Sequence, residues 1–309
     1  MSAVQQPTPV DGVTRVTLSE LLALRARVGR MPLPARASRA PRAGQQSSRL
    51  FGRGMDYAES RVYQSGDDVR RLDWRLTARS GKLHTKLFQE EREGRLLILL
   101  DTHASMRFGT RTRFKSVQAA RAAAWAAWAA VKVAERVGLM GFGTRDELLA
   151  PRGGPRGALA VCGAIADWDG RPADADEEPL SAALQRAMRT VHGASRVLLV
   201  TDGSCSDEPA RRALVELSRR ARLGVLAVVD PLEVAPTPEG DYPLEHDGVR
   251  TQLHVHGERQ QAWLPGLLGA GHARLTALCR ATGVPCRTVD TTVDPFDAVA
   301  ALLGARGSR

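Results

Sequence analysis

The chain has 309 residues, 43% of them apolar, which is enough to bury one large core or two modest ones and does not suit a chain disordered throughout. Its formal charge of +10 is carried almost wholly by arginine, with lysine only at Lys82, Lys86, Lys115 and Lys132, so composition bias explains it without a phosphate-rich partner. Cys162, Cys205, Cys279 and Cys286 show no C-x-x-C spacing. No apolar leader or run of roughly 20 apolar residues appears, so the expectation is a cytoplasmic protein with reduced thiols and no membrane span.

Residues 1–48 read as a polar tail, a short helix and a linker. Leu18, Leu21, Leu22, Leu24 and Val28 recur at helical spacing, and the stretch from Arg30 to Arg49 holds arginines and prolines but no acid. This part is expected to contribute little to the fold, with the arginine-rich stretch as a mobile connector. Residues 49–94 form a separate segment dense in arginine and carboxylate. From residue 95 onward strands and helices alternate: a buried strand Arg95 to Asp101, and a long helix Arg113 to Arg136 with Phe114, Val117, Ala124, Trp125, Trp128 and Val131 on one side. A strand Val137 to Phe142, helices at 156–166 and 179–191, a strand Arg196 to Asp202, a helix Glu208 to Arg222 and a strand Val225 to Asp230 follow.

Residues 231–262 interrupt the alternation with prolines and a hairpin, Tyr242 to Glu245 and Val249 to Val255, turning at Asp247-Gly248. His254 and His256 share one face of it, with no third metal ligand evident. A helix near 263–282, a strand Val284 to Val289 and a helix from Pro295, capped by Asp294, complete the chain. Short apolar strands between helices predict an α/β fold: a doubly wound, mainly parallel sheet carrying an inserted β-hairpin.

In such a sheet, ligands sit beyond the carboxyl ends of the strands where the strand order reverses. Two predicted strands end there in an acid, at Asp101 and at Asp202. With neighbouring hydroxyls these carboxylates form a hard oxygen set suited to Mg²⁺; equally, they could cap the turns that follow.

Ahead of the first of these strands stand Arg61-x-Tyr63-x-x-Gly66-Asp67-Asp68-x-Arg70-x-x-Asp73-Trp74, Ala78-Arg79 and Lys86-x-Phe88-x-x-Glu91-Arg92, followed later by Asp101 and Ser105-Met106-x-Phe108-Gly109. This pattern resembles the bacterial family known as domain of unknown function 58. The resemblance implies a von Willebrand factor A-like domain and association with a MoxR-type AAA+ ATPase. Many members carry two membrane helices before the signature; this chain shows none, like the shorter, soluble members. The A-domain metal loops, carried over, imply Asp101, His103 and Ser105 from the first loop and Asp202 from the third. His103 replaces a hydroxyl and Glu178 falls where a threonine is expected, so three outcomes stand open: a site for Mg²⁺, a site for another divalent metal such as Zn²⁺ or Ni²⁺ that imidazole suits better, or a degenerate, metal-free site.

Within the signature, Asp67 is expected to cap a turn with Val69 and Leu72 inward, Arg70, Asp73 and Arg79 paired in a buried network, and Trp74 filling the base. A partner-docking surface remains the alternative. No G-x-S-x-G elbow, P-loop, H-E-x-x-H or G-x-G-x-x-G motif occurs. The leading expectation is a non-enzymatic adaptor joining the ATPase to a client protein. The alternatives are a divalent-metal-dependent hydrolase using Asp101 and Asp202, and a nucleic-acid binder working through the basic N-terminal arm.

Overall fold

The computed structural model describes residues 11–30, 55–90, 94–171, 178–191, 195–236, 238–246, 249–258, 261 and 266–304. The chain divides into two compact units, Arg36–Glu93 and a larger one made of Met1–Ala35 with Gly94–Arg309.

In the larger unit, β3 (Arg95–Asp101), β4 (Arg136–Phe142), β5 (Leu148–Arg152), β6 (Ser195–Thr201), β7 (Arg222–Val229) and β10 (Cys286–Asp290) form a six-stranded sheet of order β10-β7-β6-β3-β4-β5. All neighbours are parallel except β4 and β5. The fold is the doubly wound, mainly parallel sheet expected from the alternation. Because the chain runs outward from β3 to β4 and then crosses back to β6, the strand order reverses between β3 and β6, and beyond their carboxyl ends lies the switch point where doubly wound sheets place their crevice.

Alternate residues of β3 feed two cores: Leu96, Ile98 and Leu100 join one, and Leu97 and Leu99 the other. The first core is built on α3 (Lys115–Lys132), backed by α4 (Gly154–Gly170) and by the last helix, α9 (Phe296–Gly304). The second lies under α5 (Leu180–Thr190), α6 (Ala210–Arg220) and α8 (Ala270–Thr282). The expected one-sided burial of α3 is not what forms. Its alanines from Ala119 to Ala130 are nearly all sealed, because small side chains let helices approach from several directions while Trp125 and Trp128 fill the space between them.

One of those neighbours is α1 (Leu18–Arg30), and here the structure departs from the expectation that the N-terminal part adds little. Leu21, Leu24 and Val28 are buried in the first core, Trp128 Nε1 donates to Leu21 O at 3.1 Å, and Val16 N donates to Asp169. Arg121 holds the helix electrostatically through Glu20, and Arg27 reaches Asp294 at 2.7 Å. Asp294 therefore serves two arginines, Arg27 and Arg121, where a helix cap was expected. The predicted connector lies outside the described residues beyond Arg30, as does the Asp247-Gly248 turn.

Strand β5 was not anticipated. It is a short edge strand with Pro151 in it, a residue that edge positions tolerate because no partner needs its missing N–H. The inserted hairpin forms as β8 (Gly240–His246) and β9 (Val249–Val255), in register with Asp241 opposite His254. Its inner side chains, Tyr242, Leu253 and Val255, pack with Leu232 and Phe108.

The smaller unit pairs β1 (Met55–Val62) with β2 (His84–Glu90) in antiparallel register, joined through a single 3₁₀ turn (Val69–Arg71) and α2 (Trp74–Ser80). Asp73 caps α2 by accepting from Leu76 N at 3.1 Å, and Gly81 ends the helix in the left-handed conformation at φ 69°. Among the described residues no helix is long and apolar enough to cross a membrane.

Candidate functional site

Strand β3 delivers Asp101 to the crevice, and the loop that follows is tied to the end of β4. Thr102 N and Oγ1 both donate to Phe142 O, and Thr144 Oγ1 donates back to Thr102 O. This brings His103 over Asp101: its backbone N and its Nδ1 both meet Asp101 Oδ1, at 2.9 and 2.7 Å. The imidazole lies edge-on to Phe142 and covers Gly143, whose φ of 97° suits glycine and where a Cβ would stand 2.5 Å from His103 Nδ1.

Asp101 Oδ2 faces β6. Thr201 Oγ1 donates to it at 2.5 Å and Cys205 Sγ approaches at 3.7 Å. An ionised carboxylate has about four lone-pair sites. At Asp101 four protein atoms crowd them: His103 N and Nδ1 at Oδ1, the latter as a donor in the Nδ1–H tautomer, and Thr201 Oγ1 and Cys205 Sγ at Oδ2. Burial, and then the charge of Asp101, push the Cys205 thiol far up, which keeps it a protonated donor and a poor nucleophile. The ligating atoms of Asp101, His103 and Cys205 lie within 4.8 Å of one another.

Asp202, one residue beyond β6, turns to a different partner. Its Oδ1 accepts from Ser204 N at 2.8 Å and its Oδ2 from Lys115 Nζ at 2.8 Å. Lys115 is 2% exposed, and its ammonium also reaches Glu233 Oε1 at 2.6 Å and lies over the Phe108 ring at 5.6 Å. Glu233 sits in a one-turn helix, α7 (Pro231–Val234), built as a capping box: Asp230 accepts from Leu232 N, and Glu233 Oε2 accepts from Asp230 N. Asp230 in turn takes Thr110 N and Oγ1 and Thr291 Oγ1. Loops after β3, β6, β7 and β10 are thus tied together around one buried ammonium.

The electrostatics follow from that arrangement. Burial opposes the Lys115 charge, but Asp202 and Glu233 more than reverse it, so its pKa is raised. Burial likewise works against Asp202, yet Lys115, Ser204 N and Ser105 together hold its carboxyl below the ordinary range. For Glu233 burial wins over Lys115 and Asp230 N, and its pKa is raised. The Ser105 hydroxyl is sealed from solvent without a hydrogen bond of good geometry, and its help to Asp202 is the weakest of these.

The sheet edge therefore brings together Asp101, His103, Ser105 and Asp202, as the loops implied. Glu178 is different: Arg186 grips both its oxygens, at 3.1 and 2.6 Å, and also holds Gly141 O and Asp146 O, so Glu178 belongs to a clamp between α5 and the β4–β5 turn. Lys115 and Glu233 were not anticipated. The signals were a lysine at the first position of an alanine-rich helix, and the Asp230-Pro231-x-Glu233 spacing of a capping box.

In the smaller unit the signature does not form the expected buried network. Arg61 pairs with Asp67 at 2.7 Å, and Asp67 also accepts from Gln64 N. Asp68 caps the 3₁₀ turn through Arg70 N, and Asp73 takes Ser60 Oγ at 2.8 Å besides its helix cap. Leu72 is buried, but Val69 and Trp74 are 61% and 67% exposed and Val62 and Leu83 stand in solvent as well. Arg70 and Arg79 are exposed, and among the described residues neither pairs with Asp73. Tyr63 bonds through its main chain to Leu83 O, and Gly66 turns at φ 105°. Local caps and Arg61 use up the carboxylates, so Arg70, Arg79 and Trp74 stay exposed.

The family model for "Protein of unknown function DUF58" matches residues 59–263, spanning the signature, the crevice and the hairpin. The chain belongs to the DUF58 family. The uncharacterized protein Rv1480 of Mycobacterium tuberculosis is 29% identical over 195 residues, 63% of this chain and 61% of that protein. This DUF58 chain thus aligns with less than two thirds of that relative's length. Among solved structures, an aerotolerance-related membrane protein from Bacteroides fragilis is 15% identical with a TM-score of 0.45, over 69% of this chain and 98% of that one. A von Willebrand factor type A protein from Catenulispora acidiphila is 10% identical with a TM-score of 0.37, over 72% and 44%. The sheet order itself carries the fold assignment.

Proposed function

We propose that this DUF58 protein is a non-catalytic adaptor for a MoxR-type AAA+ ATPase, docking through the signature unit and carrying an internal cation, Lys115, at the sheet edge in place of a divalent metal. The observation that carries the docking half is the outward placement of Trp74. A tryptophan 67% exposed, beside exposed Val69, Val62 and Leu83 and with Arg70 and Arg79 in solvent, has the aromatic and arginine composition of binding hot spots.

The metal-free half rests on donor chemistry. Mg²⁺ needs oxygen ligands with free lone pairs and a negative site. Asp101 has its lone pairs filled, Asp202 is neutralised at 2.8 Å by Lys115, and His103 offers a nitrogen where a hydroxyl is called for. The residues do not fit a resident Mg²⁺. With the Cys205 thiol held protonated and both acids engaged, the hydrolase alternative lacks support.

The test is size-exclusion chromatography of the full chain with the purified MoxR-type ATPase of the same genome, in the presence of a nonhydrolysable ATP analogue. The parent should co-elute; Trp74→Ala should retain its melting temperature and elute alone. Co-elution undiminished in Trp74→Ala, or no complex with the parent, overturns the reading.

A further inference from the structure

The inserted hairpin carries a cluster separate from the sheet-edge crevice. Asp241 on β8 stands directly opposite His254 on β9, and His256 follows two residues later on the same face, so three ligand-bearing side chains project from one side of the strand pair. Asp241 Oδ1 is the pivot: it lies 2.6 Å from His254 Nδ1 and 3.6 Å from His256 Nε2. The two imidazoles stack nearly parallel, 17° apart with centroids 6.2 Å from each other. All three ligand atoms fall within 4.8 Å of one another.

We propose that Asp241, His254 and His256 form a binding site for a divalent transition metal of the zinc class. Zinc takes imidazole nitrogen at roughly 2.0–2.1 Å and carboxylate oxygen at about 2.0–2.2 Å, which places tetrahedral ligands on the order of 3.4 Å apart. The present spacing of 2.6 and 3.6 Å around Asp241 Oδ1 brackets that value, so small side-chain rotations suffice. Two imidazoles and one carboxylate form a borderline set that favours Zn²⁺, Ni²⁺ or Cu²⁺ over Mg²⁺, whose demand is for oxygen.

The backbone beneath the cluster is fixed rather than loose. Val255, between the two histidines, is 1% exposed and packs inward, which turns its neighbours outward. Just past His256, Gly257 N donates to Glu239 Oε1 at 3.0 Å, tying the end of β9 to the start of β8. The side chains themselves are well exposed, at 57% for His254, 68% for His256 and 56% for Asp241. An ion can therefore reach them without opening the fold, and three protein ligands leave a coordination position for water or for a donor from a partner.

The test is calorimetric titration of Zn²⁺ into the untagged full chain, with far-ultraviolet circular dichroism as the folding control. One equivalent should bind to the parent, His256→Ala and Asp241→Ala should each weaken binding at least tenfold, on the order of the usual effect of losing one group around a metal, and Mg²⁺ should not compete. His103→Ala should leave the binding unchanged, because the crevice cluster is separate. No Zn²⁺ binding by the parent at millimolar concentration overturns the proposal. So does binding that survives both hairpin variants, or that is lost in His103→Ala.

Discussion

Replacing Lys115 by methionine removes the one positive charge between Asp202 and Glu233 while preserving the length of a side chain that is 2% exposed. Both carboxylates are buried, so neither can recover by solvation, and the loops after β6 and β7 that meet at the ammonium are left in mutual repulsion. Breaking a buried ion pair by removing one partner costs roughly 3–5 kcal/mol. For a chain of this size a change of 1 kcal/mol moves the melting temperature by about 2–4 °C, so the variant should melt roughly 6–20 °C below the parent. The assay is urea unfolding followed by tryptophan fluorescence, read as a free energy, with a thermal melt alongside. The triple variant Lys115→Met, Asp202→Asn, Glu233→Gln should recover most of the loss, because a neutral set of similar shape no longer strands a charge. A single variant that loses less than about 1 kcal/mol, a typical cost for an arbitrary substitution, would refute the reasoning.

Asp202, held below its ordinary 3.8, contributes stability that is complete above that value and lost as pH falls through its lower folded pKa; Lys115, raised above 10.5, contributes stability that is complete below that value and lost as pH rises through its higher one. Glu233, raised above 4.5, runs against Asp202: its contribution is complete below that value and is lost as pH rises through its higher folded pKa. In Lys115→Met both carboxyls are relieved by protonation, so the deficit measured by urea unfolding should shrink between pH 7 and pH 5; a deficit that grows on acidification contradicts the assignment. Leu21→Ala should cost about 2–5 kcal/mol, because Leu21 is fully buried between α1 and the first core. A loss below about 1 kcal/mol in the same assay would show that α1 is dispensable, as the sequence alone suggested.

What the sequence made legible was the repetitive part of the fold. Runs such as Leu96 to Leu100 and Val197 to Val200 are apolar on both faces, which only a covered parallel strand requires, and the acids that end them fall at the edge where the order reverses. The β5 edge was hidden by its brevity and by Pro151. The docking of α1 was hidden because an amphipathic helix announces an apolar face without naming what covers it. At the site, chain-local bonds such as His103 to Asp101 follow from a loop pattern, whereas Lys115 reaches Asp202 from 87 residues before it in sequence and Glu233, 31 residues after Asp202, joins through Lys115. The signature misled for a physical reason. Asp67, Asp68 and Asp73 found partners within a few residues of themselves or across the hairpin, as Asx caps and turns do, and left Arg70, Arg79 and Trp74 facing solvent.

Calorimetric titration of Mg²⁺ into the parent and into Lys115→Met asks whether the Lys115 ammonium stands where a metal would otherwise sit at the sheet edge. The parent should bind no Mg²⁺, whereas Lys115→Met should bind it as the unpaired Asp202 and Glu233 acquire a new counterion, with a Mg²⁺-dependent rise in that variant's melting temperature. One equivalent of Mg²⁺ bound by the parent and lost in Asp101→Asn would contradict it, because the crevice would then be a working metal site despite the ammonium within it.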